Sequence, residues 1–158
     1  MENNVKVQDE TQSLQSCVSV SVTDLRIGNL VEYNGIIMKI SEICSPKPLK
    51  DKRYSDKYII ELFDGAGLLN CTLDEIKLIV ISHKWLLKSG FIYDENWHYR
   101  LGENSITRDY LLDICWIDGD LYPFYRNGFF KIKSLNQLQN LYFDLTGYEL
   151  QIGNLTEH

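Results

Sequence analysis

No stretch of this sequence carries enough consecutive apolar residues to cross a bilayer. The longest runs, such as Leu78 to Ile81, are strand-sized, whereas a spanning helix takes roughly 20 residues. The start, Met1 to Ser16, is polar and acidic and lacks the basic residues and apolar core of a secretion signal. The expectation is a cytoplasmic protein of the host cell cytosol. Its four cysteines, Cys17, Cys44, Cys71 and Cys115, form no CxxC pair and are read as free thiols. Histidine is as scarce: His83, His98 and His158 stand far apart, so spacing predicts neither a metal site nor a cofactor. A phosphate-cradling loop is missing too, since Asp64-Gly65-Ala66-Gly67 has the composition of a hairpin turn. No serine or cysteine sits in a recognisable nucleophile elbow, so Cys115 is read as a buried strand residue and His98 as a surface one. The acidic pairs Asp94-Glu95 and Asp118 with Asp120 flank Asn or Gly and are read as turn residues. The sequence thus describes a protein with no enzymatic activity.

Basic charge is also in deficit. The net charge is −6, with nine basic and twelve acidic residues up to Ile81 and seven and ten after it, so neither half is a cationic module. That balance argues against broad nucleic-acid binding, which depends on cations displacing counterions from phosphates. One loop runs the other way. Between Cys44 and Lys57 lie Lys47, Lys50, Lys52, Arg53 and Lys57 against two acidic residues, with Tyr54 among them. Two readings stay open: lysines that keep a sheet edge soluble, or a contact for RNA or DNA phosphates with Tyr54 stacking.

What is present is a series of short apolar runs punctuated by turns. After a polar, flexible leader, residues 1–23, whose Val18, Val20 and Val22 could alternatively add a strand to a sheet edge, Ile27 to Tyr33 and Ile36 to Ile43 predict two strands joined by an Asn34-Gly35 hairpin turn. Tyr58 to Phe63, Leu68 to Leu73 and Ile76 to Ile81 add three more. Five short strands in residues 24–81 suggest a small SH3-like β-barrel. A short helix from Ser82 to Gly90 follows, then an antiparallel meander: Phe91 to Tyr93, Trp97 to Leu101, Tyr110 to Ile117, Leu121 to Arg126 and Phe129 to Lys133. Alternation puts Trp97, Tyr99 and Leu101 on one face and His98 with Arg100 on the other. Pro123 places its strand at an edge.

The last element is the most clearly signed. Ser134 is a suitable N-cap and Gly147 a suitable helix stop. At about 100° per residue, Leu135, Leu138, Leu141, Tyr142 and Leu145 share one face, with Asn136, Gln137, Asn140 and Asp144 opposite. Phe143 projects near the polar side and needs cover from the tail, Tyr148 to Ile152, or from a partner. The fold class expected is α+β: an SH3-like barrel, then a helix, meander, helix unit over residues 82–150 packed on it, and a tail over 151–158 that frays from Asn154 to His158.

Aromatic residues crowd the second half. Tyr122, Phe124, Tyr125 and Phe129 put rings on both faces of a hairpin that one helix covers on one side only; two readings stay open, that the barrel half packs on the remaining face or that these rings, with Phe143, make a candidate protein-binding surface.

Two segments, Asp24-Leu25-Arg26-Ile27-Gly28-Asn29-Leu30-Val31 and Gln137 to Gly147, together with Trp85-Leu86-Leu87-Lys88-Ser89-Gly90-Phe91 between them, resemble a family of small phage and prophage proteins. In that family an LRIGN-type start is followed by a barrel-like segment, a W/LLxxGF segment and a terminal LQNLYxxLTG helix. The likeness runs from Asp24 to Leu150 and departs at the leader and the basic loop. It brings no catalytic residues. It implies a mobile-element context and a small accessory protein that binds a host or phage protein, for example an inhibitor of a host defence nuclease of the CRISPR-effector kind.

Overall fold

The computed structural model describes residues 20–94, 98–103, 110–117, 120–123 and 131–153. The chain is α+β, and the described residues form two open antiparallel sheets and two α-helices. The first sheet takes β1 (Leu30–Tyr33), β2 (Ile36–Cys44), β3 (Ile59–Phe63), β4 (Leu68–Thr72) and β5 (Ile76–Leu78) in the order β4-β3-β2-β1-β5. The turn between β1 and β2 has Asn34 and Gly35 both at positive φ, 51° and 79°. This is the geometry that Asn-Gly supplies at least cost and that matches the twist of the flanking strands. A register shift between Ile40 and Glu42 bends β2, and there Ser41 Oγ donates to the Glu61 carbonyl and carboxylate.

The expected barrel is not closed. Among the described residues β4 and β5 remain edges of an open sheet, and they are linked only through a 3-10 turn, Leu73–Glu75, whose Glu75 carboxylate accepts from Thr72 N. Two smaller expectations also change. At the end of the segment expected as a flexible leader, Val22 opens a 3-10 turn, Val22–Asp24, and Val20 packs against the first core. β5 stops at Leu78 because the next residues turn to another partner: Leu135 N bonds Ile79 O, Ile81 N bonds Lys133 O, and Val80 bridges Ser134.

After α1 (His83–Lys88), the second sheet runs β6 (Ile92–Tyr93), β7 (His98–Glu103), β8 (Tyr110–Ile117) and β9 (Asp120–Pro123) as a plain meander. Among the described residues Pro123 sits on an edge strand, as expected. Residues 131–133 contribute a single bridge, Ile132 to Leu121, and Phe129 and Phe130 of the strand expected there lie outside the described residues. α2 (Leu135–Thr146) closes the fold. Ser134 Oγ accepts from Gln137 N, and Gly147, at φ 74°, donates to Phe143 O at 2.7 Å. Both expected caps are therefore in place.

Among the described residues two apolar clusters form the interior. One covers a single face of the first sheet with Val31, Met38, Ile40, Ile60, Leu62, Cys71 and Ile76. The other gathers Leu86, Tyr99, Leu112, Ile114, Leu121, Leu135 and Leu138 of the second half, and it also takes Leu30, Ile79 and Ile81 from the first. Because strand neighbours point to opposite faces, Leu30 and Val31 belong to different cores. β1 is thus the wall between them.

Helix α2 corrects the sequence-based reading of its faces. Leu135 and Leu138 are fully buried, but Leu145 is 36% exposed; Asn136, expected on the polar side, lies in the interior, and so does Gln139. Gln139 Oε1 accepts from Leu30 N at 3.0 Å and its Nε2 donates to Gly28 O. Asn140 Oδ1 accepts from Asn29 Nδ2 at 2.9 Å and from Arg26 Nε, while its own Nδ2 donates to Asp24 O. The segment entering β1 has backbone groups that no ladder satisfies, and the helix amides satisfy them.

Candidate functional site

The outer face of the second sheet carries the densest reactive chemistry among the described residues. Core residues Tyr99, Leu112, Ile114 and Leu121 point inward. Period two then sends His98, Arg100, Leu111, Asp113, Cys115, Ile117 and Tyr122 outward. The ladder places His98 opposite Cys115, Arg100 opposite Asp113, and Cys115 opposite Tyr122.

A polar strip runs along this face. His98 Nδ1 lies 2.7 Å from Asp113 Oδ1. Arg100 Nη1 lies 2.6 Å from Asp94 Oδ2, and its Nε 3.5 Å from Asp113 Oδ2. Asp94 also caps the β6 to β7 turn, its N donating to His98 O and its Oδ1 accepting from His98 N. Cys115 Sγ stands 3.4 Å from His98 Nδ1 and 3.6 Å from Nε2. His98 is therefore no plain surface residue, whereas Cys115 is buried, as its sequence suggests, at 8% exposure.

A Cys, a His and an Asp in contact invite comparison with a thiol-hydrolase relay, and the geometry argues against one. In a relay the acid holds one imidazole nitrogen and the thiol uses the other. Here Nδ1, the nitrogen facing Asp113, is also the one nearest the sulfur. Burial, then the Asp113 charge, pushes the Cys115 thiol up from its ordinary pKa, whereas a nucleophilic cysteine needs it lowered.

Apolar groups flank the strip. Ile92, opposite Arg100, is 74% exposed, and Leu111 and Ile117 are exposed at the two ends of β8. Tyr122 is half-buried beside them. Of the other proposed aromatic contacts, Phe124, Tyr125 and Phe129 lie outside the described residues, as do Trp97, the leader up to residue 19 and the tail from residue 154.

Phe143 is not on this face. The Arg26 guanidinium lies 3.9 Å over its ring, and that same Arg26 makes a two-pronged bond to Glu149, at 2.6 and 2.9 Å. The cover the sequence called for thus comes from Arg26, which the tail holds in place through Glu149. Gly28, at φ 96°, passes so close that a Cβ would meet the Glu149 carboxylate at 2.9 Å. The LRIGN segment and the LQNLY helix, far apart in sequence, are the two sides of one clasp.

The basic loop lies elsewhere, on the first sheet. Arg53 pairs with Glu75 at 2.6 Å and Lys57 with Asp74 at 3.4 Å. Tyr54 donates to Asn70 O and lies beside the Arg53 guanidinium. Lys47, Lys50 and Lys52 are exposed and make no ion pair among the described residues. The loop is internally tied by Tyr54 N and Ser55 N to Asp51 O and by Asp56 N to Lys47 O.

The polar cluster on the second sheet escaped the sequence because its members are 15 and 17 residues apart and meet only through strand pairing. A signal was present in the alternation that set His98 with Arg100 on one face and in the matching period of Asp113 and Cys115. Joining them required the register across residues 104–109. Comparison with protein-family models, curated proteins and solved structures found no match.

Proposed function

We propose that the protein is a non-enzymatic accessory protein of a phage or prophage that works by binding another protein, of the kind that inhibits a host defence nuclease, and that it docks through the outer face of its second sheet. The observation that carries this reading is the combination of Ile92, Leu111 and Ile117, all exposed, around an ion-paired polar strip on one sheet face. Apolar anchors rimmed by fixed polar groups suit a protein partner. Tyr122 lies on this face. The mobile-element context is supported by the LRIGN, W/LLxxGF and LQNLYxxLTG segments. For the first half, the strand order β4-β3-β2-β1-β5 with a short last strand returning beside the first supports the SH3-like reading.

The second reading, an RNA- or DNA-contacting loop, loses part of its basis because Arg53 and Lys57 are engaged by Glu75 and Asp74. It rests on Lys47, Lys50 and Lys52. The two are separated by capture of partners on the tagged full chain from host lysate, with and without nuclease. Capture that survives nuclease and raised salt, and is lost in Ile92→Asp or Tyr122→Ala, supports protein docking. Capture abolished by nuclease, or lost in Lys50→Glu with Lys52→Glu while the sheet variants behave normally, transfers the function to the loop.

A further inference from the structure

Three metal-binding side chains converge on the outer face of the second sheet. The ligand atoms of His98, Asp113 and Cys115 all lie within 4.8 Å of one another. They project from adjacent positions of the β7 to β8 ladder, so paired backbone sets their spacing. With Zn–S near 2.3 Å and Zn–N and Zn–O near 2.1 Å, a tetrahedral ion holds S and N about 3.6 Å apart and N and O about 3.4 Å apart. Cys115 Sγ already stands 3.4 Å from His98 Nδ1. Nδ1 and Asp113 Oδ1, now 2.7 Å apart across a hydrogen bond, would need to part by about 0.7 Å.

We propose that His98, Asp113 and Cys115 form a three-ligand site for a borderline-soft divalent metal of the zinc class, with the fourth position open to a ligand from outside. The donor set selects the ion, because imidazole with thiolate suits zinc and its neighbours, while magnesium and calcium want oxygen alone. The charges match: one thiolate and one carboxylate neutralise a dication. On binding, the thiol proton leaves to solvent, and neutral His98 carries its proton on Nε2, which frees Nδ1 for the metal. Arg100 and Asp94 supply the outer support that metal ligands commonly have. Arg100 steadies the second Asp113 oxygen, and its own charge is shared with Asp94. Asp94 accepts from His98 N, fixing the strand start.

Titration of the reduced full chain with cobalt(II), read by thiolate-to-cobalt charge-transfer absorption and reversed by zinc, tests the site. One equivalent should bind; Cys115→Ser should abolish the absorption, and His98→Gln and Asp113→Asn should each weaken binding about tenfold or more, while Cys44→Ser leaves it unchanged. In the unmutated chain zinc should slow alkylation of Cys115 but not of Cys44, a readout that needs no variant to fold. The proposal is overturned if no charge-transfer band develops, if it persists in Cys115→Ser, if the His98 and Asp113 variants bind as the parent does, or if zinc leaves Cys115 alkylation unchanged or slows Cys44 equally.

Discussion

At the scale of single residues, Gly28, Glu149 and Asn136 carry the sharpest expectations. Gly28 combines a positive φ with a close approach to Glu149. Gly28→Ala therefore meets both backbone strain and a clash, and should lower stability by about 1–3 kcal/mol in denaturant unfolding. Glu149 has its carboxyl held below the usual range, first by the Arg26 hydrogen bond. A lowered folded-state pKa means the pair stabilises the protein above the ordinary carboxylate pKa and loses that contribution as pH falls through the folded value. Thermal midpoints taken from neutral pH downward should drop less steeply in Glu149→Gln than in the parent. Asn136 has 0% exposure and neither amide atom finds a hydrogen-bond partner among the described residues. Asn136→Leu keeps similar bulk and removes that desolvation cost, so it should raise stability by about 1–3 kcal/mol. A loss of stability instead would mean that the amide is hydrogen-bonded in solution.

At the scale of elements, α2 shows both how far sequence periodicity reaches and where it stops. Its caps, its length and the burial of Leu135 and Leu138 follow from spacing and from Ser134 and Gly147. The burial of Gln139 does not, because an amide on a polar face is indistinguishable in sequence from one that bonds a neighbouring backbone. The same limit hid the His98, Asp113 and Cys115 cluster. Each strand was legible alone, but the register between them was not. The Asn34-Gly35 turn was legible because two residues determine it, whereas closure of the first sheet depends on how edges far apart in sequence meet. Gln139→Ala tests the element-level reading directly: it strips partners from Leu30 N and Gly28 O and should cost about 1–3 kcal/mol.

At the scale of the whole molecule, the two cores share β1 as a wall, so they should melt together. Cys71, buried in the first core, has its thiol pushed up to about 11 by burial, while Trp85 and Trp116 pack against the second. Labelling of Cys71 during denaturant unfolding should track the tryptophan fluorescence, with coincident midpoints. Separate midpoints would show that the halves unfold on their own.

The Arg26 to Glu149 clasp spans 123 positions of the chain. During synthesis the first sheet emerges well before the helix amides and carboxylate that finish its entrance. Until they arrive, Leu30 has no second core to enter and the backbone before β1 must use water for its hydrogen bonds. Contacts this distant in sequence slow folding. The ribosome releases the first half as an unfinished surface, and the last residues of the clasp close it from behind.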